Sequence, residues 1–255
     1  MEPIRSSANA VIKRLRAAAE GRGRGLVLLE GRRLIEDARR ADVALELIAV
    51  PAGAETAHWR GAATSVVEIE PSLFARLGSV TTTPDVLALA VPPTPPAWEA
   101  LVLGPEALVV VAAGIQDPGN LGALARTAEA AGASALIVVA GGCRPDNPKA
   151  LRGSMGSLFR LPCLIATDAK EVARELEARG VRSLQAATRG GSSPANADWS
   201  GRVALWLSSE AGEMPAVARA FEGVTIPLAA AVESLNVTQA AAVLLFAAGR
   251  TEGRS

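Results

Sequence analysis

Apolar positions in the first 90 residues fall into four short runs, LVLL (26–29), ALELIAV (44–50), VVEI (66–69) and VLALAV (86–91). Between them lie stretches with helical spacing, such as GRRLIEDARRA and PSLFARLG, and this alternation predicts a small α/β unit. PPTPPAW (92–98) follows, in which the prolines and the residues preceding them can continue neither a helix nor a central strand. It predicts a boundary between residues 1–96 and 97–255.

Beyond it the pattern is more regular. Strand LVVVAAG (108–114) leads to a helix from Asn120, and ALIVVA (135–140) to a short helix in PKALRGSMG. LPCLIA (161–166) leads to helix AKEVARELEARG (169–180); SLQAAT, VALWLS (203–208) and VTIPLA (224–229) precede a last helix after Asn236. Strands this uniformly apolar, alternating with helices, imply a mostly parallel sheet covered on both faces. Ligands of such sheets bind beyond the carboxyl ends of the strands. GGSSPANADWSG (190–201) reads as a mobile loop. From Val237 to Ala248 only Thr238 and Gln239 are polar, so the last helix needs cover from its own domain or from a second copy, which favours a dimer.

Three strand ends gather polar residues. Asp117-Pro118-Gly119-Asn120 reads as a turn with Asn120 suited to cap the next helix. Gly122 permits close approach of a backbone or ligand, and Arg126, two turns in, is placed to project over the ligand edge. LWLSSEAGEMP (205–215) sets Ser208, Ser209 and Glu210 after a strand, and TIPLAAAVESLNVTQAAAVLL (225–245) sets Glu233, Ser234 and Asn236 before the last helix. Asn236 and Gln239 also fit a capping box. Three such clusters at one sheet edge outline one site.

Composition narrows the function. Apolar residues make up 49% of the chain, yet no run approaches the roughly 20 that a membrane helix needs, and the charged start MEPIRSSANAVIKRLRAA is unlike a signal peptide. A soluble, cytoplasmic protein is expected. Cys143, Cys163 and His58 have no partners at ligand spacing, so no metal is expected. Net charge is zero, but residues 1–40 hold ten Arg/Lys against five acids: a polyanion-binding arm or a solvated helix face. The absence of tyrosine and the scarcity of phenylalanine weaken any case for an aromatic base-stacking sheet. Neither G-x-G-x-x-G nor a Walker pattern occurs.

DPGNLGALARTAEAAGA, LWLSSEAGEMP and IPLAAAVESLNVTQAAAVLLF resemble, in order and spacing, the three signature motifs of the SpoU (TrmH) family of S-adenosylmethionine-dependent RNA ribose 2'-O-methyltransferases. The first and third matches are strong and the second is partial. IRSSANAVIKRLR, LLEGRRLIEDARR and TTTPDVLALAV are similar to the family's substrate-binding domain, and PKALRGSMGSLFRLP to a stretch facing the substrate. The resemblance implies a SPOUT-type α/β knot, a deep trefoil that is an exception to the rule against threading, preceded by a small ribosomal-protein-like α/β domain. It also implies a homodimer through the knot and the last helix, and RNA as partner, ribosomal RNA preferred over transfer RNA.

Residue by residue, the resemblance implies a catalytic set of Arg126, Asn120, Glu210, Ser234 and Asn236. S-adenosylmethionine would be held by Val139, Ala140, Gly141, Leu207, Ser208, Ser209, Ala211, Ile226, Leu228, Ser234 and Leu235, and RNA by Arg5, Lys13, Arg14, Arg33, Lys149, Arg152 and Ser154. The family assigns the arginine as general base. A guanidinium does not release its proton near neutral pH, so Arg126 is expected to clamp a phosphate while Ser234 or Glu210 passes the proton. The chain departs from the family at Ser208, Ala211 and Glu213, where the second motif usually has glycines, at Ala230, and at Asp85 in the front domain. These departures motivate an alternative, an RNA-binding homologue with weakened or lost methyl transfer.

Overall fold

The computed structural model describes residues 2–78, 84–208, 213–229 and 231–249. Its first unit comprises helix α1 (Ala10–Ala19), strand β1 (Val27–Glu30), helix α2 (Arg32–Arg40), strands β2 (Leu45–Pro51) and β3 (Ser65–Ile69), a short helix α3 (Pro71–Phe74) and strand β4 (Leu87–Ala90). The sheet runs β1-β4-β2-β3, with β4 antiparallel to both neighbours and β2 parallel to β3. Because side chains alternate along a strand, Leu28, Leu87 and Leu89 face one way and Val27, Leu29, Ala88 and Ala90 the other. Helix α1 covers the first face through Ile12, Leu15 and Ala18, spaced three apart and so on one stripe. Leu34, Ile35 and Ala38 of α2 cover the second.

The second unit contains β5 (Leu108–Ala113), α4 (Pro118–Ala130), β6 (Ala135–Val139), α5 (Pro148–Ser154), α6 (Ser157–Arg160), β7 (Cys163–Ala166), α7 (Ala169–Ala178), β8 (Arg182–Ala187), β9 (Val203–Ser208), β10 (Glu222–Thr225) and α8 (Val237–Ala247). All six strands are parallel, in the order β10-β8-β9-β5-β6-β7. Leu108, Val110 and Ala112 pack in the cluster that holds α4, α5 and α8; Val109, Val111 and Ala113 pack with Val172 and Leu176 of α7. This is the parallel sheet covered on both faces that the uniform apolar runs predict.

Local differences have physical causes. Helix α4 begins at Pro118 rather than Asn120, since proline's fixed φ and missing N–H suit a first helical turn. Strand β10 ends at Thr225, two residues before Pro227, which cannot donate to a ladder. Segment 190–201 is tied along that edge: Ser192 N–H donates to the Gly223 carbonyl at 2.9 Å, and Thr225 N–H to the Ser192 carbonyl at 2.9 Å. The proline-rich boundary separates the two sheets but not their cores, because Val27, Leu29 and Ala38 share one apolar cluster with Leu151, Leu158 and Leu161. Among the described residues no helix is long and apolar enough to cross a membrane.

Candidate active site

Where β5 ends, Asp117 turns the chain into α4. Its carboxylate accepts from Asn120 N–H at 2.9 Å and from Lys149 Nζ at 2.7 Å. The Lys149 bond, with the Asn120 amide second, holds the Asp117 carboxyl below the usual aspartate range. Asp117, and not Asn120, is therefore the helix cap. The difference releases the Asn120 side chain, whose Oδ1 lies 3.5 Å from Asn236 Nδ2. Asn236 in turn caps α8, its Oδ1 accepting from Thr238 N–H at 2.9 Å and Thr238 Oγ1 at 2.7 Å. Residues 116 positions apart in sequence thus meet at one point, and the helix starts of the first and third motifs are joined there.

Gly122 meets the expectation of close approach: a Cβ there would lie 2.3 Å from the Ala150 carbonyl oxygen and 2.9 Å from Ser154 N. The neighbour is the backbone of α5, which crosses α4 without room for a side chain. Arg126 is exposed and makes no hydrogen bond or ion pair among the described residues.

Beyond the carboxyl ends of β8, β9 and β10 lies a cavity of about 500 Å³. Leu207 and Ser208 line it from β9, Ile226 and Leu228 from the segment after β10, and Ser234 and Leu235 from the turn before α8. These are six of the residues implied to hold cofactor. Val139, Ala140 and Gly141 are not in its lining. They end β6, which the strand order separates from β9 by β5, and Gly141 instead accepts from Gln116 Nε2 at 2.6 Å. Ser209, Glu210 and Ala211, together with Ala230, lie outside the described residues.

In place of the β6 end, one wall is built by residues 185–189 at the end of β8, which sits between β9 and β10. SLQAAT has the pattern of a strand, but nothing local assigns a role to its end. The rule that ligands lie beyond strand ends was the available signal, but which strand ends are neighbours depends on their order. Glu233, Met214 and Arg219 also line the cavity. Glu213, an intrusive departure from the family pattern, is outside the lining and sits 3.7 Å from Arg219 Nη1 as an exposed ion pair.

The residues implied to bind RNA divide. Arg5, Lys13 and Arg33 are exposed, with no side-chain partner among the described residues. Arg14 pairs with Glu46, and Lys149 with Asp117. Arg152, one-third exposed, lies 3.6 Å from the Glu30 carboxylate, which is nearly buried between the two units. Ser154, expected on the RNA side, is instead wholly buried, and its hydroxyl donates to the Leu151 carbonyl at 2.7 Å within α5.

The cavity suits a cofactor with a flat apolar part and a charged tail, since leucine, isoleucine and valine side chains share its wall with Ser208, Glu233 and Ser234. Comparison with known proteins agrees. Residues 107–246 match the model of the SpoU rRNA Methylase family. The chain is 28% identical over 251 residues to the Bacillus subtilis 23S rRNA (guanosine(2553)-2'-O)-methyltransferase RlmP, covering 96% of this chain and 98% of that protein. It is 36% identical over 147 residues to the 23S rRNA (guanosine-2'-O-)-methyltransferase RlmB of Xanthomonas axonopodis, but spans only 59% of that protein's length. The crystal structure of the SpoU methyltransferase AviRb from Streptomyces viridochromogenes, in complex with the cofactor AdoMet, superposes with a TM-score of 0.86 at 26% identity, over 96% of this chain and 100% of that one. With the first and third motifs joined at one edge of a parallel sheet and the family model matching residues 107–246, more than half of the chain, the chain belongs to the SpoU rRNA methylase family.

Proposed function

We propose that this protein transfers a methyl group from S-adenosylmethionine to a ribose 2'-hydroxyl of ribosomal RNA. The observation that carries the reading is the Asn120–Asn236 contact at 3.5 Å beside the 500 Å³ cavity, which unites the first and third motifs around one pocket. RlmP and RlmB are both named for 23S rRNA guanosine, which favours ribosomal over transfer RNA and a guanosine as target.

Bound in the cavity, S-adenosylmethionine supplies an electrophilic methyl on a sulfonium. The apolar side chains Leu207, Ile226, Leu228 and Leu235 would hold the flat part, and Ser208 and Ser234 the polar tail. The chain must then bring the ribose oxygen into line and take up its proton. Arg126, outside the cavity lining and exposed, suits a bidentate clamp on the neighbouring phosphate; Ser234 or Glu210 passes the proton. Asn120 and Asn236 hold the two helix starts that frame the reacting atoms.

The same reading takes residues 1–96 as the RNA-binding domain, with Arg5, Lys13 and Arg33 among the cations it offers to phosphate, and residues 97–255 as the catalytic domain with the trefoil knot. A homodimer would cover the outer face of α8, where Val243 is 44% and Phe246 53% exposed. The setting is cytoplasmic, where ribosomal RNA is modified. The alternative of an RNA binder without transfer loses weight because Glu213 stands outside the cavity lining, paired with Arg219.

The test is methyl transfer from radiolabelled S-adenosylmethionine to bulk ribosomal and transfer RNA, with wild type beside Arg126→Ala and Arg126→Lys. Label in ribosomal RNA that drops at least a hundredfold with either variant is expected. A folded wild type that labels neither RNA would overturn the proposal, and Arg126→Lys with near wild-type rate would overturn the clamp.

A further inference from the structure

A second cavity, of about 380 Å³, opens between the two units and is absorbed by nothing above. Its front-unit wall is the loop between α1 and β1, GRGRG (21–25). Its other wall is formed by Gln116 and Pro118 after β5 and by residues 143, 144 and 146–148 after β6. Pro118 stands two residues before Asn120, and the strand order sets this cavity beyond β5 and β6 and the first one beyond β8, β9 and β10, along the same sheet edge.

Two features of its lining point to a ligand. Arg24 is exposed and holds a left-handed backbone, φ 49°. In a loop that already uses glycine at 21, 23 and 25, glycine would satisfy that conformation without strain. Arg24 instead places a cation in the wall of the cavity, with no hydrogen bond or ion pair among the described residues. Across the cavity, Arg144 is gripped in bidentate fashion by Asp146, Nε to Oδ1 at 2.9 Å and Nη2 to Oδ2 at 2.7 Å. That grip neutralises its charge and fixes its guanidinium plane while 71% of the side chain stays exposed. A fixed, exposed guanidinium is a stacking platform for a nucleobase, in a chain with no tyrosine to serve as one.

The geometry points to this interdomain cavity as the receptor for one unstacked ribonucleotide flanking the methylation target, its base on the Arg144 plane and its phosphate on Arg24. The inference rests on the RNA methyltransferase reading, since a strand whose target ribose reaches the Asn120–Asn236 junction must continue along the same edge. The size suits a single nucleotide rather than a duplex, whose bases are not available for stacking on protein. It requires the target to lie in a single-stranded loop or bulge of the RNA.

The experiment uses the full-length protein with unmodified, in vitro transcribed 23S rRNA. KM for RNA, the Kd of S-adenosylmethionine by calorimetry, and the salt dependence of RNA binding are measured for wild type, Arg24→Gly and Arg144→Ala. Arg24→Gly removes the strained residue, so a folding failure is not its expected consequence. Both variants should raise the RNA KM at least tenfold without changing cofactor affinity. Arg24→Gly should also reduce the log–log salt slope by about 0.7, the share of one single-strand phosphate contact. Photo-crosslinking of a 6-thioguanosine and 4-thiouridine transcript should give an adduct within residues 143–148 that Arg24→Gly abolishes. Unchanged RNA KM and slope in Arg24→Gly, or adducts only in other peptides, overturn the inference. If the wild type transfers no methyl, the enzymatic reading fails; filter binding of the same transcript then decides the cavity's role, with equal affinities overturning it and a tenfold loss in both variants sustaining it.

Discussion

Replacing Gly122 with alanine sets a Cβ 2.3 Å from the Ala150 carbonyl oxygen, 2.9 Å from Ser154 N and 3.0 Å from the Gly153 carbonyl carbon. All three neighbours are backbone, so no side-chain rotation relieves the clash, and α4 and α5 must part by about 1 Å to restore van der Waals distance. Overpacking of this kind costs about 1–3 kcal/mol, and the rigid neighbours put Gly122→Ala toward 3. For a chain of this size that lowers Tm by roughly 6–12 °C. Because α4 also carries Asn120 and Arg126, the same displacement should cut methyl transfer on the order of a hundredfold. Gly153→Ala is the internal control: it lies in α5 on the same contact, yet its Cβ would meet nothing closer than the Gly119 carbonyl oxygen at 3.4 Å. Alanine's better helix propensity should leave that variant neutral or up to about 1 kcal/mol more stable. Thermal unfolding and the radiolabel assay on both variants decide the matter. A wild-type Tm for Gly122→Ala, or equal losses for the two, would refute the close-approach argument.

Asn236 separates stability from activity: Asn236→Asp keeps the acceptor that caps α8 and should hold stability within about 0.5 kcal/mol, but it removes the donor facing Asn120 and should lower the methylation rate. Asn236→Ala should lose about 1 kcal/mol as well, and urea unfolding beside the transfer assay distinguishes the two. For Asp117, whose folded carboxyl titrates below its ordinary 3.8 chiefly through Lys149, the stabilisation is complete above that value and is lost as pH falls through the lower folded one. Asp117→Asn retains the cap without the charge, so its stability deficit, a few tenths of a kcal/mol for so exposed a group, should be constant from pH 5 to 8 and shrink as pH falls below the ordinary aspartate range; a deficit that does not shrink on acidification would sink the assignment. Burial pushes the Cys163 thiol up to about 12, and burial followed by Asp117 and Asp146 raises Cys143 less far. Iodoacetamide at pH 8 should therefore modify Cys143 before Cys163 in the native protein, with Cys163 reacting freely only in urea; intact and peptide mass spectrometry reads the order.

The parallel sheet, its cover on both faces and the polar residues at its carboxyl edge were legible in the sequence because each depends on local pattern. A strand buried on both sides must be apolar throughout, and Val109 through Ala113 obeys whichever face each residue takes. Gly122 was legible for a similar reason, as a residue whose only asset is the absence of a side chain. The motifs group Asn120, Arg126, Ser234 and Asn236 as one expected site; of these the structure brings Asn120 to Asn236 and sets Ser234 in the cavity wall, with Arg126 outside that lining.

Only the tertiary structure decided which strand ends adjoin. Nothing local in ALIVVA or SLQAAT states that β8 lies between β9 and β10 while β6 lies beyond β5. Local pattern alone therefore favours Val139, Ala140 and Gly141 as cavity residues, whereas the strand order lines the cavity with residues 185–189. The cap at α4 went the same way: Asp117 and Asn120 are both good caps in isolation, and it is Lys149, brought in by the crossing of α5, that gives Asp117 a second partner and leaves Asn120 for Asn236. Burial of Ser154 follows from that crossing too. Local propensity fixes what each segment is, whereas non-local packing sets which neighbours compete for its polar groups.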